Sequence, residues 1–196
     1  MPSPQQRAET AALLRARAHE LLAESGLFAL LAENFGEPMV TGSAGYDLMV
    51  RPQIDIHMPA EAGRWADWLA FGTTLARHFD AGGTPLLAAR YANGWLDPEA
   101  EGGLGWTLDI RGRDGDWQLA LRGWDPFDFA VRQARDFSLR TDLAACDRDL
   151  ILRLKTEALA RPAYYGVKVS GLDIYRFVIA GAGDSLSALE LWQRRA

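Results

Sequence analysis

The chain has 196 residues, 48% of them hydrophobic and 24% charged, with a formal net charge of -5. That is enough apolar surface for one buried core, which excludes a disordered or fibrous chain, and the acidic balance argues against an extended basic surface for nucleic acid. The single cysteine, Cys146, excludes an internal disulfide framework and a multi-cysteine zinc site, and it points to a reducing, cytoplasmic setting. Met1 to Gln6 show no basic-then-apolar leader pattern and no apolar run is long enough to cross a bilayer, so no membrane partner is expected.

In chain order, Ala8, Ala12, Leu13, Ala16, Leu21 and Leu22 recur near helical spacing, which predicts an amphipathic helix over about residues 3–25 stopped by Gly26. A second helix over about 27–34 ends before Gly36. Residues 37–41, apolar at Met39 and Val40, read as a first strand that delivers the chain to Gly42 and Ser43. Gln53 to Met58 alternates polar and apolar residues and reads as the second strand. Over 61–79, Trp65, Trp68, Leu69, Leu75 and Phe79 fall at mixed three and four spacing, the pattern of a helix crossing one face of a sheet.

Three more strands are expected over 85–91, 105–111 and 116–122, and the Asp114-Gly115 step between the last two is a strong hairpin signal. From Asp125 the pattern becomes helical, over about 126–139, 143–161, 171–180 and 185–195. Pro162 ends the second of these, and Ser170 with Asp173 forms a capping box that opens the third. The expectation is an α/β (α+β) fold in one compact unit: N-terminal helices over 1–36, a small mixed sheet with flanking helices over 37–124, and a C-terminal helical region over 125–196.

The stretch from Thr41 to His57 carries the chemistry. It places a Gly-Ser turn after an apolar run and then an acid, Asp55, inside an alternating strand. Glycine lets backbone N–H groups approach a phosphate, and strand-borne carboxylates hold divalent metal, which is what phosphoryl or nucleotidyl transfer needs. Side chains two apart on a strand share a face, so residues 53 and 55, or 55 and 57, can converge on one ion. A later strand carries a further central acid, Asp109, within Trp106-Thr107-Leu108-Asp109-Ile110.

This order, over about Met39 to Arg111, resembles the nucleotidyltransferase superfamily with its polymerase-beta-like palm fold. There a Gly-Ser turn opens a helix, two acids flank one residue on the next strand, and a third acid lies on a neighbouring strand. The resemblance implies magnesium held by residues 53 and 55 and by Asp109, with Asp55 and Asp109 catalytic, and phosphates cradled at Gly42 and Ser43. The implied reaction is transfer of a nucleotidyl group from a nucleoside triphosphate to a hydroxyl acceptor, with the helical tail shaping the acceptor side.

The chain departs from the pattern at one acid. With the pair aligned on 53 and 55 the first position is Gln53; aligned on 55 and 57 the second is His57. The Gln53 register keeps the acid nearest the loop and is preferred. An amide oxygen can ligate magnesium without neutralising its charge, so the sequence leaves open whether this is an enzyme or a degenerate, non-catalytic nucleotide- or partner-binding module. A structural protein acting through its helical tail is a third reading. Asp47 reads as a turn residue and a poor substitute for the lost acid.

Other residues are weighed more simply. Cys146 and the helical histidines His19 and His78 lack metal-ligand or nucleophile spacing. Trp106, beside Asp109, could line a base or acceptor pocket. Lys168, one of only two lysines, precedes the capped helix at Ser170 and could reach a triphosphate, whereas Tyr175 reads as a core tyrosine. The segment from Tyr164 to Tyr175 also resembles the C-terminal part of bacterial nucleotidyltransferase-like proteins.

Overall fold

Alternation along the strands builds the sheet and gives it two unlike faces. The computed structural model describes residues 2–97 and 102–195. Its strands are β1 (Met39–Thr41), β2 (Gln53–Pro59), β3 (Leu86–Asn93), β4 (Leu104–Gly112) and β5 (Gly115–Trp124), in the spatial order β1-β2-β5-β4-β3. β2 and β5 pair in parallel and the other neighbours are antiparallel. The Asp114-Gly115 hairpin forms as expected, closing with Gly112 opposite Gly115.

Ile54, Ile56 and Met58 of β2 pack with Leu119 and Leu121 of β5 and with Leu104, Trp106, Leu108 and Ile110 of β4 on the apolar face. Helices α1 (Pro4–Ser25), α2 (Leu27–Phe35) and α4 (Trp65–Ala81) cover that face, α4 through Trp68, Phe71, Leu75 and Phe79. Complete burial of each such side chain is worth about 1.5–3 kcal/mol, so this layer is the main source of stability. Trp106 belongs here rather than to a ligand pocket: its indole Nε1 donates to the Trp68 carbonyl at 2.8 Å, and its ring lies where a Cβ on Gly72 would sit, only 2.5 Å away.

On the opposite face stand Gln53, Asp55, His57, Gln118, Ala120 and Arg122. Helix α5 (Pro126–Ala144) packs against β2 and β5 on that side, anchored by the Arg132 guanidinium 3.3 Å from the centre of the Trp124 ring. A second core joins Ala11 of α1 to α6 (Arg148–Leu159), α7 (Gly171–Ile179) and α8 (Leu186–Gln193), through Ile151, Leu154, Ile174, Phe177 and Leu189.

The helical region differs from expectation at one junction. The predicted break before 143 falls instead at 145–147, because Asp147 caps α6 by accepting from the Leu150 N–H at 3.1 Å. The Ser170–Asp173 capping box is present as expected. Among the described residues, no helix is long and apolar enough to cross a membrane.

Candidate functional site

The turn after β1 is held from below. The chain leaves Thr41 and enters α3 (Gly42–Gly45), with Gly42 at φ 62°, where a side chain is strained. A Cβ at this position would also lie 2.6 Å from Asp55 Oδ2, so glycine is required twice over, by conformation and by the approach of the carboxylate. Ser43 follows. Its Oγ accepts from Lys155 Nζ at 2.6 Å and shares a hydrogen bond of 3.1 Å with the Tyr175 hydroxyl.

Lys155, from α6, is 0% exposed. Besides Ser43, its ammonium donates to the Leu48 carbonyl and to Tyr175 Oη at 2.8 Å, so each of its three N–H groups has an acceptor. Burial pulls this amine down from 10.5 to about 7; Asp55 nearby opposes the shift and Arg51 adds to it. Burial also pushes the Tyr175 phenol up. Lys155 and Tyr175 therefore clamp the turn to α6 and α7.

A third anchor is Asp136 of α5, a buried acid that accepts from the hydroxyls of Thr41 and Tyr46 and pairs with Arg140 at 3.1 Å. It fixes α5 over β1 and the turn.

Along β2, Gln53, Asp55 and His57 share a face and open into one cavity of about 350 Å³. Gly42, Ser43, Arg51, Arg132, Tyr165 and the start of α7 also line it. Gln53 Nε2 donates to Asp55 Oδ1 at 2.9 Å. Burial raises the Asp55 carboxyl above its ordinary value, against the pull of the Gln53 hydrogen bond and of Arg51, Arg122 and Lys155. Burial, then Arg132 and Arg122, lowers the His57 imidazole to about 4, so it is neutral in the physiological range.

Of the residues expected at the site, Gly42, Ser43, Gln53 and Asp55 meet in this cavity. Asp109 does not join them. It lies on β4, and β5 intervenes between β4 and β2. There it pairs with Arg90 at 2.9 Å and accepts from Gln118 at 3.1 Å, contacts that hold its carboxyl below the usual range. The two strands that do neighbour β2 place Ala120 of β5 and Thr41 of β1 opposite Asp55. Lys168 is exposed in the turn before α7 and lies outside the cavity lining. Asp47 has a left-handed φ of 58° and pairs with Arg148 and Arg15 at 3.0 and 3.4 Å, as a turn residue would.

The donor set can be tested against magnesium directly. Among the described residues no three His, Cys, Asp or Glu side chains are grouped to hold an ion. Among the described residues the cavity lining offers one carboxylate, Asp55, and one neutral amide oxygen, Gln53 Oε1, which is buried and has no hydrogen-bond partner there. That set does not fit a two-metal centre, where carboxylates offset the charge of both ions.

The sequence reading passes over Arg51 and Arg132 of the cavity lining, the anchor Asp136 and, beneath the turn, Lys155. Its one legible sign is position: Ile151, Leu152 and Ala158, four and three residues before and three after it, are all buried, which puts a lysine on an apolar helix stripe.

No protein-family model and no curated protein matches the sequence. Solved structures do match it. The polymerase core of TRAMP, an RNA surveillance complex, aligns over 93% of this chain and 51% of its own, with a TM-score of 0.51 and 17% identity. Terminal uridylyl transferase 4 from Trypanosoma brucei with bound CTP aligns over 99% and 58%, with a TM-score of 0.44 and 14% identity. The chain thus spans little more than half the length of either structure. At this identity the likeness is one of architecture, carried by the first of the two: the chain has a nucleotidyltransferase-like fold, a five-stranded mixed sheet flanked by helices.

Proposed function

We propose that the cavity binds a nucleotide through its phosphate and that the chain is a binding module without two-metal nucleotidyl transfer. The observation that carries this reading is the pair of residues around Asp55: Gln53 beside it on β2 and Ala120 opposite it on β5. A single buried carboxyl, raised by burial, cannot offset two magnesium ions and has itself a reduced tendency to be anionic. The anion-binding half supports the same reading, since the Gly42–Ser43 turn and the guanidinium groups of Arg51 and Arg132 line the cavity.

Calorimetric titration with ATP, in magnesium and in EDTA, tests it alongside a radiolabelled nucleotide-transfer assay. Binding that persists in EDTA and is unchanged in Asp109→Ala, with no label transferred, is the expected outcome. Magnesium-dependent binding that is lost in Asp55→Asn, or label transfer abolished by that variant, overturns it. The second reading, catalysis with one magnesium ion on Asp55 and Gln53, draws its support from the unpartnered Gln53 Oε1, an oxygen that could ligate a cation.

A further inference from the structure

We infer that Ser43 is a nucleophile with Lys155 as its general base, and that the cavity supports metal-free acyl transfer from a carboxylic ester. This activity lies beyond the nucleotide reading and does not depend on it.

Three side chains from three helices close a ring beneath the turn. Ser43 Oγ of α3 lies 2.6 Å from Lys155 Nζ of α6 and 3.1 Å from Tyr175 Oη of α7, and Nζ lies 2.8 Å from the same phenol. Lys155 is wholly buried, whereas Ser43 is half-buried and lines the cavity. A hydroxyl open to a pocket, backed by an amine sealed from solvent, is an arrangement that activates serine.

The ring is satisfied in both protonation states of the amine. As an ammonium, Lys155 donates to Ser43, to the Leu48 carbonyl and to Tyr175. As a free amine it keeps the bonds to Leu48 and Tyr175 and turns its lone pair to Ser43, whose hydroxyl then donates across the same 2.6 Å. Burial brings the amine to about 7, so both forms are populated at neutral pH. The charges that act on it are Asp55, which opposes the shift, and Arg51, which adds to it; Arg122 acts in turn on Asp55. Tyr165 also hydrogen-bonds Ser43, but burial pushes both it and Tyr175 up, so these phenols stay protonated and act as donors. Lys155 is therefore the group beside Ser43 that takes its proton.

The reaction balances without metal. Ser43 Oγ attacks the ester carbonyl carbon, its proton passes to Lys155 Nζ, and the carbonyl π pair moves onto the oxygen. Donors for that oxygen line the same cavity. They are the Tyr165 hydroxyl and the backbone N–H groups of Gly171 and Leu172, which the capping box leaves free by engaging those of Ser170 and Asp173. Collapse breaks the C–O bond, and the departing alkoxide takes the proton from Lys155 and leaves as an alcohol. Water then attacks the acyl-serine, giving a proton to Lys155, which returns it to Ser43 Oγ as the carboxylic acid departs. Charge selects acyl over phosphoryl transfer. One negative charge develops on a carbonyl oxygen, whereas phosphoryl transfer leans on divalent metal held by carboxylates, of which the described lining has one.

The experiment uses a fluorophosphonate probe, with the modified residue located by peptide mass spectrometry, and p-nitrophenyl acetate as the ester. Ser43 is expected to be labelled at a rate that climbs with pH through a midpoint near 7. Ser43→Ala is expected to remove both the label and the p-nitrophenol release above the buffer rate. Lys155→Met, shown folded by circular dichroism, is expected to label about a hundredfold more slowly and without that step. Asp55→Asn is expected to move the midpoint to lower pH, because Asp55 holds the amine's value up. A lysine that only holds the turn gives no step in the wild type, so the wild-type profile decides even where Lys155→Met does not fold. A single burst of p-nitrophenol that leaves Ser43 acetylated also supports the inference, with loss of the acetyl group as the slow step. No label on Ser43, a rate independent of pH, a folded Lys155→Met that labels like the wild type, or label without ester turnover or acetylation overturns it. The ATP titrations are untouched by either result, so nucleotide binding stands or falls separately.

Discussion

The turn at Gly42–Ser43 and the strand row Gln53–Asp55–His57 lie in the same cavity and have been built to different standards. The turn is held from several sides: Gly42 admits the carboxylate, Ser43 Oγ is held by Lys155 and Tyr175, and the lysine has an acceptor for every proton. In the row, among the described residues, Gln53 Oε1 and His57 Nδ1 are buried without partners, Asp55 is the one acid in the cavity lining, and Ala120 of β5 stands opposite it. On the proposed reading, a cradle for an anion persists where the apparatus for a cation does not. The two depend on different things, the first on hydrogen bonds to one turn, the second on carboxylates from separate strands.

The strongest way to break the turn is Gly42→Ala. The positive φ and the 2.6 Å approach to Asp55 Oδ2 together predict a loss of about 2–4 kcal/mol in urea unfolding. Because the clash is with that carboxylate, adding Asp55→Ala is expected to restore about 1 kcal/mol of it. Additive losses would show that backbone conformation alone sets the cost.

Lys155→Ala is expected to cost about 3 kcal/mol, since it leaves a void and strands the Leu48 carbonyl, whereas Lys155→Met, which keeps most of the volume, costs less. The pH dependence has a definite sign. The folded-state amine titrates near 7 and the unfolded one near 10.5, so the unfolded chain binds more protons between those values. The penalty of burying the charged lysine is full below pH 7 and is relieved as pH rises. Unfolding midpoints at pH 7, 8 and 9 should climb in the wild type and flatten in Lys155→Met.

In the strand row the effects are smaller and of opposite sense. Asp55 is raised by burial, so its favourable contribution belongs to low pH and is lost as pH rises through the folded-state value. Asp55→Asn is therefore expected to be neutral or stabilising by up to about 1 kcal/mol at pH 8. A destabilisation of the same size would mean that the ionised carboxylate is well compensated there. Smallest of all, Asp109→Ala removes a half-exposed pair with Arg90 and should shift stability by less than about 0.5 kcal/mol, with ATP affinity in EDTA unchanged.

The elements are legible because their signals are local. Apolar spacing, the Asp114-Gly115 step and the Ser170–Asp173 box each act within a few residues, and each produces its helix, hairpin or cap. The junction at residues 145–147 shows the limit of that logic in reverse: Asp147 is an evident cap in sequence, yet apolar continuity through Leu143 suggests a helix already under way. For the site, Gly42, Ser43, Gln53 and Asp55 can be read together because one strand and one turn hold them.

Asp109, Lys168 and Lys155 cannot be placed that way. Asp109 and Asp55 are successive strand acids in sequence, but the third strand of the β3–β4–β5 meander returns to pair with β2 and moves β4 one position outward. Of the chain's two lysines, the one in a loop beside a capped helix looks available and is exposed, while the one in a helix looks ordinary and is buried beneath Ser43.

The mixed α/β architecture, the Gly-Ser turn and the amide rather than an acid at residue 53 are written in the amino-acid order, since they follow from backbone preference, side-chain period and residue identity over short distances. That the residue facing Asp55 is Ala120, that Asp109 serves another pair, and that Lys155 locks the turn emerge only when the chain is folded. Those facts depend on which strands lie side by side and which helix packs beneath them, and long-range pairing of that kind is set by the burial of the whole sheet rather than by any local signal.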